Sequence, residues 1–336
     1  MPILSEWCRK ESGFCDEALS KAIQSSNSWT RTKRGEVPKS IKIGDIQVTP
    51  FFVSHSTYDA SMLLMEADGK KILHTGDYRG HGYLSKGLFP TLKKYVGQVD
   101  YLITEGTMLG QNVVCETEHE ISNRMYHAMM AFKYVFVLAS STDIERLAAI
   151  QSVAQSAKRV FASCSLMHYS TLDYFRENAG HELFDFKFYK YSPNRESKKL
   201  IAKMRREGFA MVIGPSHQER VKQIMSRFDP AQTLLIYSSW DGYYKTPEQV
   251  EANSSYKEIR EMFSNVVDLH TPGHADAATI TKVIKTVNPR EGIIGIHKSA
   301  NASLTSLDLS EELMARIIPE IKEKVCVIIK LYYYAD

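Results

Sequence analysis

Histidine, aspartate and glutamate recur directly behind apolar runs along this chain. His55 and Asp59 follow TPFFV in S-H-S-T-Y-D, and Asp77 follows KKIL in H-T-G-D-Y-R. Glu105 follows DYLI in T-E-G-T, and His297 follows EGIIG in G-I-H-K. A further cluster, H-T-P-G-H-A, carries His270 and His274. Polar groups at the ends of buried strands converge on one sheet edge, where a rigid frame can hold them as metal or acid–base chemistry requires. Imidazole nitrogen and carboxylate oxygen suit zinc and manganese, and two such ions could clamp both oxygens of a phosphodiester displacement. Singly, each residue also has a plainer account: a hydrogen-bonded strand-end histidine, a turn aspartate, a loop-capping glutamate. His270 and His274 have the spacing of a helical H-x-x-x-H zinc pair, but Pro272 and Gly273 between them argue against a helix.

The elements that must position these residues are readable from periodicity. Residues 41–53 read as two short strands around a Gly-Asp turn, and 61–77 as a hairpin turning at Asp68-Gly69. VDYLITEG is another strand. Thr117 and Glu120 form a capping box that opens a helix running to about Met130. Strands YVFVLAS, RVFAS, FAMVIG and TLLIYS then alternate with helices near 143–157, up to 178, 194–207 and 216–227, with an extended piece at FKFYKY. This alternation predicts a parallel sheet covered by helices. The last third reads as a helix near 248–263, VVDLH, a helix after His274, EGIIGIH, a helix from Ser310, and a final strand CVIIKLYYY.

The chain has 336 residues, 43% hydrophobic and 24% charged, with ordinary globular composition. No apolar run is long enough for a membrane span, and the N-terminus lacks a signal-peptide core, so the expected location is cytoplasmic. Five irregularly spaced cysteines suggest neither a disulfide framework nor a cysteine zinc site. A net charge of +3 does not by itself mark a nucleic-acid binder. The basic groups at Arg31, Lys33 and Arg34, and at Lys198, Lys199, Lys203, Arg205 and Arg206, read as solvated faces.

Taken in order, HSTYD, HTGDYR, TEGT, an α/β module, HTPGHA and GIHK resemble the β-CASP group of metallo-β-lactamase-fold nucleases, which includes RNase J-like enzymes and mRNA 3′-end cleavage factors. MPILSEWCRK resembles the segment behind that family's metal-binding loop, and YSSWDGYYK a segment late in its inserted module. The resemblance implies an α/β chain: an incomplete metallo-β-lactamase αββα sandwich (1–115 and 263–336) with an inserted β-CASP domain (116–262). It implies two divalent metal ions, Zn or Mn, with His55, Asp77 and His297 as ligands and Asp77 bridging. Glu105 would orient a metal-binding histidine, and His274 would stand near the scissile phosphate. The implied activity is two-metal hydrolysis of phosphodiester bonds in single-stranded RNA, by a ribonuclease of RNA processing or decay.

The family's H-x-H-x-D-H motif is absent: none of the eleven histidines precedes His55. Three candidate ligands cannot fill two ions that each want at least four. An N-terminally truncated chain is therefore expected, with exposed apolar surface and an unpaired strand edge. The missing motif could come from a separate chain, and a homodimer is a further expected assembly. Lys298 beside a dication is a second departure from the family pattern. Two other readings compete: a non-catalytic RNA- or partner-binding pseudoenzyme, and a metallo-β-lactamase-fold hydrolase of a small molecule. The purified chain with added Zn²⁺ or Mn²⁺ is expected to cleave RNA weakly or not at all; robust metal-dependent cleavage would overturn that expectation.

Overall fold

A computed structural model describes residues 39–57, 60–111, 114–179, 181–191, 198–299 and 302–319. Asp59, Arg31, Lys33, Arg34, the MPILSEWCRK segment and the final CVIIKLYYY run lie outside the described residues. The expected hairpins form as β1 (Ile41–Ile43), β2 (Ile46–Phe52), β3 (Ser61–Ala67) and β4 (Lys70–His74), each antiparallel to the one before. Asp68 and Gly69 turn β3 into β4 with positive φ at both, as a two-residue hairpin of this hand demands. β5 (Tyr101–Glu105) then lies parallel to β4, and β12 (Gly292–Ile296) lies parallel to β5. The sheet order is β1-β2-β3-β4-β5-β12.

Direction decides where the polar residues gather. Two antiparallel steps return β2 to the direction of β4, and β5 and β12 share it. Four strand ends, those before His55, Asp77, Glu105 and His297, therefore lie along one edge. One face of this sheet packs Leu73, Leu102 and Ile293 against α1 (Leu88–Thr91), the turn Leu92–Val96, and a later helix carrying Ile280, Val283, Ile284 and Val287. On the other face Leu63, Met65, Ile72, Ile103 and Ile294 are only half-buried. At the β12 edge, Ile293 exchanges backbone bonds with Arg316 and Ile318.

The chain between β5 and β12 builds a second sheet. It contains β6 (Tyr134–Leu138), β7 (Val160–Ser163), β8 (Tyr189–Lys190), β9 (Phe209–Ile213), β10 (Thr233–Tyr237) and β11 (Val266–Asp268), all parallel, in the order β11-β10-β6-β9-β7-β8. β6, β9 and β10 are buried at every residue, which explains their unbroken apolar runs. Alternate side chains serve two cores. Val135, Val137, Ala210 and Ile236 meet α2 (Glu118–Ala131), α3 (Ile144–Ser156) and α4 (Leu166–Asn178). Phe136, Met211 and Leu235 meet α5 (Lys198–Glu207), α6 (Gln218–Met225) and a helix ending the module. The Thr117–Glu120 capping box opens α2 as expected.

Some expectations change. A short α7 (Gly242–Lys245) comes first, and the single helix expected near 248–263 is two pieces, α8 (Pro247–Ala252) and α9 (Ser254–Glu261), because Asn253 leaves helical geometry. α10 (Ala277–Val287) begins on an Asp276 cap, while α11 (Glu311–Met314) is a single turn. The helical stretch Leu84–Val96 was not legible in the sequence. Among the described residues, no helix is long and apolar enough to cross a membrane.

His168, on α4, is buried with Nε2 donating to the Ala139 carbonyl at 3.2 Å. Burial pulls its pKa down to about 4, below the unfolded value near 6.5. The unfolded chain thus takes up a proton first, and stability is lost as pH falls below about 6.5. The stability gap between wild type and His168→Gln should narrow by about 2 kcal/mol between about pH 7.5 and about pH 5. Urea denaturation of both proteins at the two pH values measures this, and a pH-independent gap would refute it.

Candidate functional site

The loop Leu269–Ala275 is pinned residue by residue across the strand-end edge. The Thr271 hydroxyl donates to the Glu116 carbonyl at 2.6 Å. His81 Nε2 donates to Pro272 O at 2.6 Å, and His55 Nδ1 donates to Gly273 O at 2.7 Å. His274 Nδ1 meets Glu105 Oε2 at 2.9 Å, and Ala275 N donates to Glu105 Oε1 at 3.2 Å. Gly273 permits this approach, since a Cβ there would collide with the side chain of Ser56, beside His55.

These braces bring His55, Asp77 and His274 together, with one ligand atom from each lying within 4.8 Å of the others. The rings of His55 and His274 meet edge-on, their centroids 5.0 Å apart. Glu105 is fully buried and also accepts from Tyr78 N at 2.9 Å, tying the Asp77 turn to His274. His297 lies beside the cluster, its Nδ1 2.7 Å from Asp77 Oδ1. Its backbone sits at a φ of 48°, in the left-handed region, with its carbonyl held by the Thr107 hydroxyl. A non-glycine residue there carries strain of about 1–2 kcal/mol, the kind of cost that collects where a side chain must be aimed.

Protonation follows the surroundings. Burial pulls the His55 pKa down, with nearby His274 adding to the effect against the pull of the Gly273 bond. Burial also acts downward on His274, but the hydrogen bond and charge of Glu105 outweigh it and the net shift is upward. His74 is lowered by burial and by His297, and its Nδ1 accepts from Gly76 N at 3.0 Å. His270 does not join the cluster: it is half-buried near Arg146, and burial drives its pKa to about 3.

A neutral imidazole that donates from Nδ1 carries its lone pair on Nε2. His55 and His274 each present Nδ1 to an oxygen, as metal-binding histidines usually do, so the form of each that would bind an ion has its lone pair on Nε2. With Asp77 they could hold one metal ion. A comparable second set does not occur among the described residues.

No protein-family model and no curated protein matches the chain. The fold has a solved likeness. A crystal structure of a protein of unknown function from Enterococcus faecalis V583 matches with a TM-score of 0.59 and 18% identity, over 87% of this chain and 66% of that one. The likeness shows the fold alone, and this chain spans just under two thirds of that neighbour.

Several residues at the site were not singled out by sequence reasoning. Ser54 opens S-H-S-T-Y-D, Arg79 closes H-T-G-D-Y-R and His81 stands two residues beyond it, yet the pattern gave them no role. Glu145 stands in D-I-E-R, where a helix opening reads as surface charge. Gly273→Ala should force the His55 and His274 loops apart. The measurable outcome is a fall in affinity for Co²⁺ of about tenfold or more, and an unchanged affinity would show that the approach is not needed.

Proposed function

We propose that this protein is a metal-dependent hydrolase of phosphodiester bonds, built as a metallo-β-lactamase fold with an inserted β-CASP module, with single-stranded RNA as substrate. The observation that carries the reading is the meeting of His55, Asp77 and His274 within 4.8 Å, both imidazoles fitted to face an ion. The interruption of the first sheet between β5 and β12 by an all-parallel module supports it too. The proposed division is 1–115 and 263–336 for the interrupted fold and 116–262 for the insert, with β11 remaining beside β10 in the second sheet.

In this reading His55, Asp77 and His274 hold one ion, zinc or manganese. A divalent ion here supplies Lewis-acid polarisation of a phosphoryl oxygen. Glu105 holds His274 in one tautomer, and His297 sets the rotation of the Asp77 carboxylate through its Nδ1 contact. The geometry thus favours an exchange of the roles drawn from the resemblance, with His274 as ligand and His297 as its neighbour. A second ion, if the reaction uses one, needs donors beyond the described residues.

Titration of the purified chain with Co²⁺ tests this. The wild type should take up one equivalent with visible absorption bands, and Asp77→Ala should abolish them. Lack of uptake by the wild type would sink the metal reading, and RNA binding without metal uptake would favour a non-catalytic binding role.

A further inference from the structure

We propose that Glu145 is a positioning residue, a brace from the second sheet that sets the spacing of the two loops bearing His55 and Asp77. The inference rests on the metal reading for its consequence, while the geometry stands independently of it. Glu145 lies in the first turn of α3, at the mouth of the second sheet, and is buried. Its Oε1 accepts from Ser54 Oγ at 2.5 Å, one residue before His55. Its Oε2 accepts from Leu84 N at 2.9 Å, at the end of the turn that follows Asp77. The same Oε1 lies 3.5 Å from Arg79 Nη2, and Arg79 Nε donates to Ser54 Oγ at 3.1 Å. One carboxylate therefore touches both loops and the arginine that joins them.

Two further observations bear on the same point. Backbone completes the joint, since Arg79 N donates to Ser54 O at 2.7 Å. Gly82 lies against the joint so closely that a Cβ there would collide with Ser54, Glu145 and Arg79 together. An ion pair serving only stability has no need to contact both loops. Asp143 already pairs with Arg79 through both guanidinium nitrogens, at 3.1 and 3.4 Å, from the same helix. What Glu145 adds is its reach to Ser54 and Leu84.

The test compares Glu145→Ala and the volume-preserving Glu145→Gln with Gln151→Ala. Gln151 lies further along α3, where its side chain bonds Asp185 O and Lys187 N and touches neither loop. Amide hydrogen exchange on the full chain without metal is expected to quicken at Arg79 and Leu84 by about tenfold or more in Glu145→Ala, and less in Glu145→Gln. Gln151→Ala should leave those amides unchanged at equal loss of global stability. Unaltered exchange at both amides in the two Glu145 variants, or equal acceleration in Gln151→Ala, would overturn the brace. Co²⁺ titration of the same proteins separates the two claims. If the wild type takes up the ion, affinity should fall about 10- to 100-fold in Glu145→Ala, and an unchanged affinity overturns the positioning role. If the wild type takes up no ion, the metal reading fails while the exchange result still decides the brace.

Discussion

Two arginines with no contact to water hold this molecule together at its centre. Arg79 from the first sheet and Arg146 from α3 share Glu118, with Asp143 and Glu145 completing the network. Arg146 grips Glu118 through two nitrogens and also reaches Ser238 and the Leu269 carbonyl. Removing such charges from water costs several kcal/mol per ion, and the cost is offset only when nearly every donor finds an acceptor. Three acids face two guanidiniums, and burial pushes the Glu145 carboxyl up against the pull of Arg79. Because its members come from β4's exit loop, α2, α3 and the β10 and β11 ends, the network joins one sheet to the other.

The candidate site depends on that joint and on strand parity. A sheet edge collects side chains only if the strands that bear them run the same way, and the β2–β3–β4 meander restores that direction after two reversals. The loop that closes the cluster, 270–275, comes from beyond the second sheet and can reach the edge only because that sheet is docked. The Glu116 carbonyl, His81 and Glu105 then hold it by hydrogen bonds from three different parts of the chain. Chemistry at the edge is thus a property of both sheets.

Much of this was legible in the chain, for local reasons. An apolar run followed at once by a polar group marks a strand end wherever it occurs, so His55, Asp77, Glu105 and His297 could be named together. The Thr117 capping box and the Asp68-Gly69 turn are decided within four residues. What stayed hidden is long-range. His270 and His274 are alike in sequence, yet one is half-buried near Arg146 and the other meets the cluster, a difference made by the docking of the sheets. Glu145 and Arg146 resemble surface charges because periodicity cannot tell a buried ion pair from a solvated one. The helical stretch around Pro90 was obscured by a residue that ordinarily signals a break.

The interruption of the first sheet has a consequence for how the molecule comes into being. β12 pairs with β5 residue for residue, yet the whole parallel sheet is synthesised between them. Closing so long a loop is entropically slow unless the intervening chain has already condensed. The insert, rich in short βα connections, is suited to fold first and bring its two ends close together, so that β12 meets β5 as a near-local event. On a ribosome, where synthesis is vectorial, the cluster of His55, Asp77 and His274 can assemble only after the second sheet has emerged. Between the synthesis of His55 and that of His274 the candidate site stays unformed.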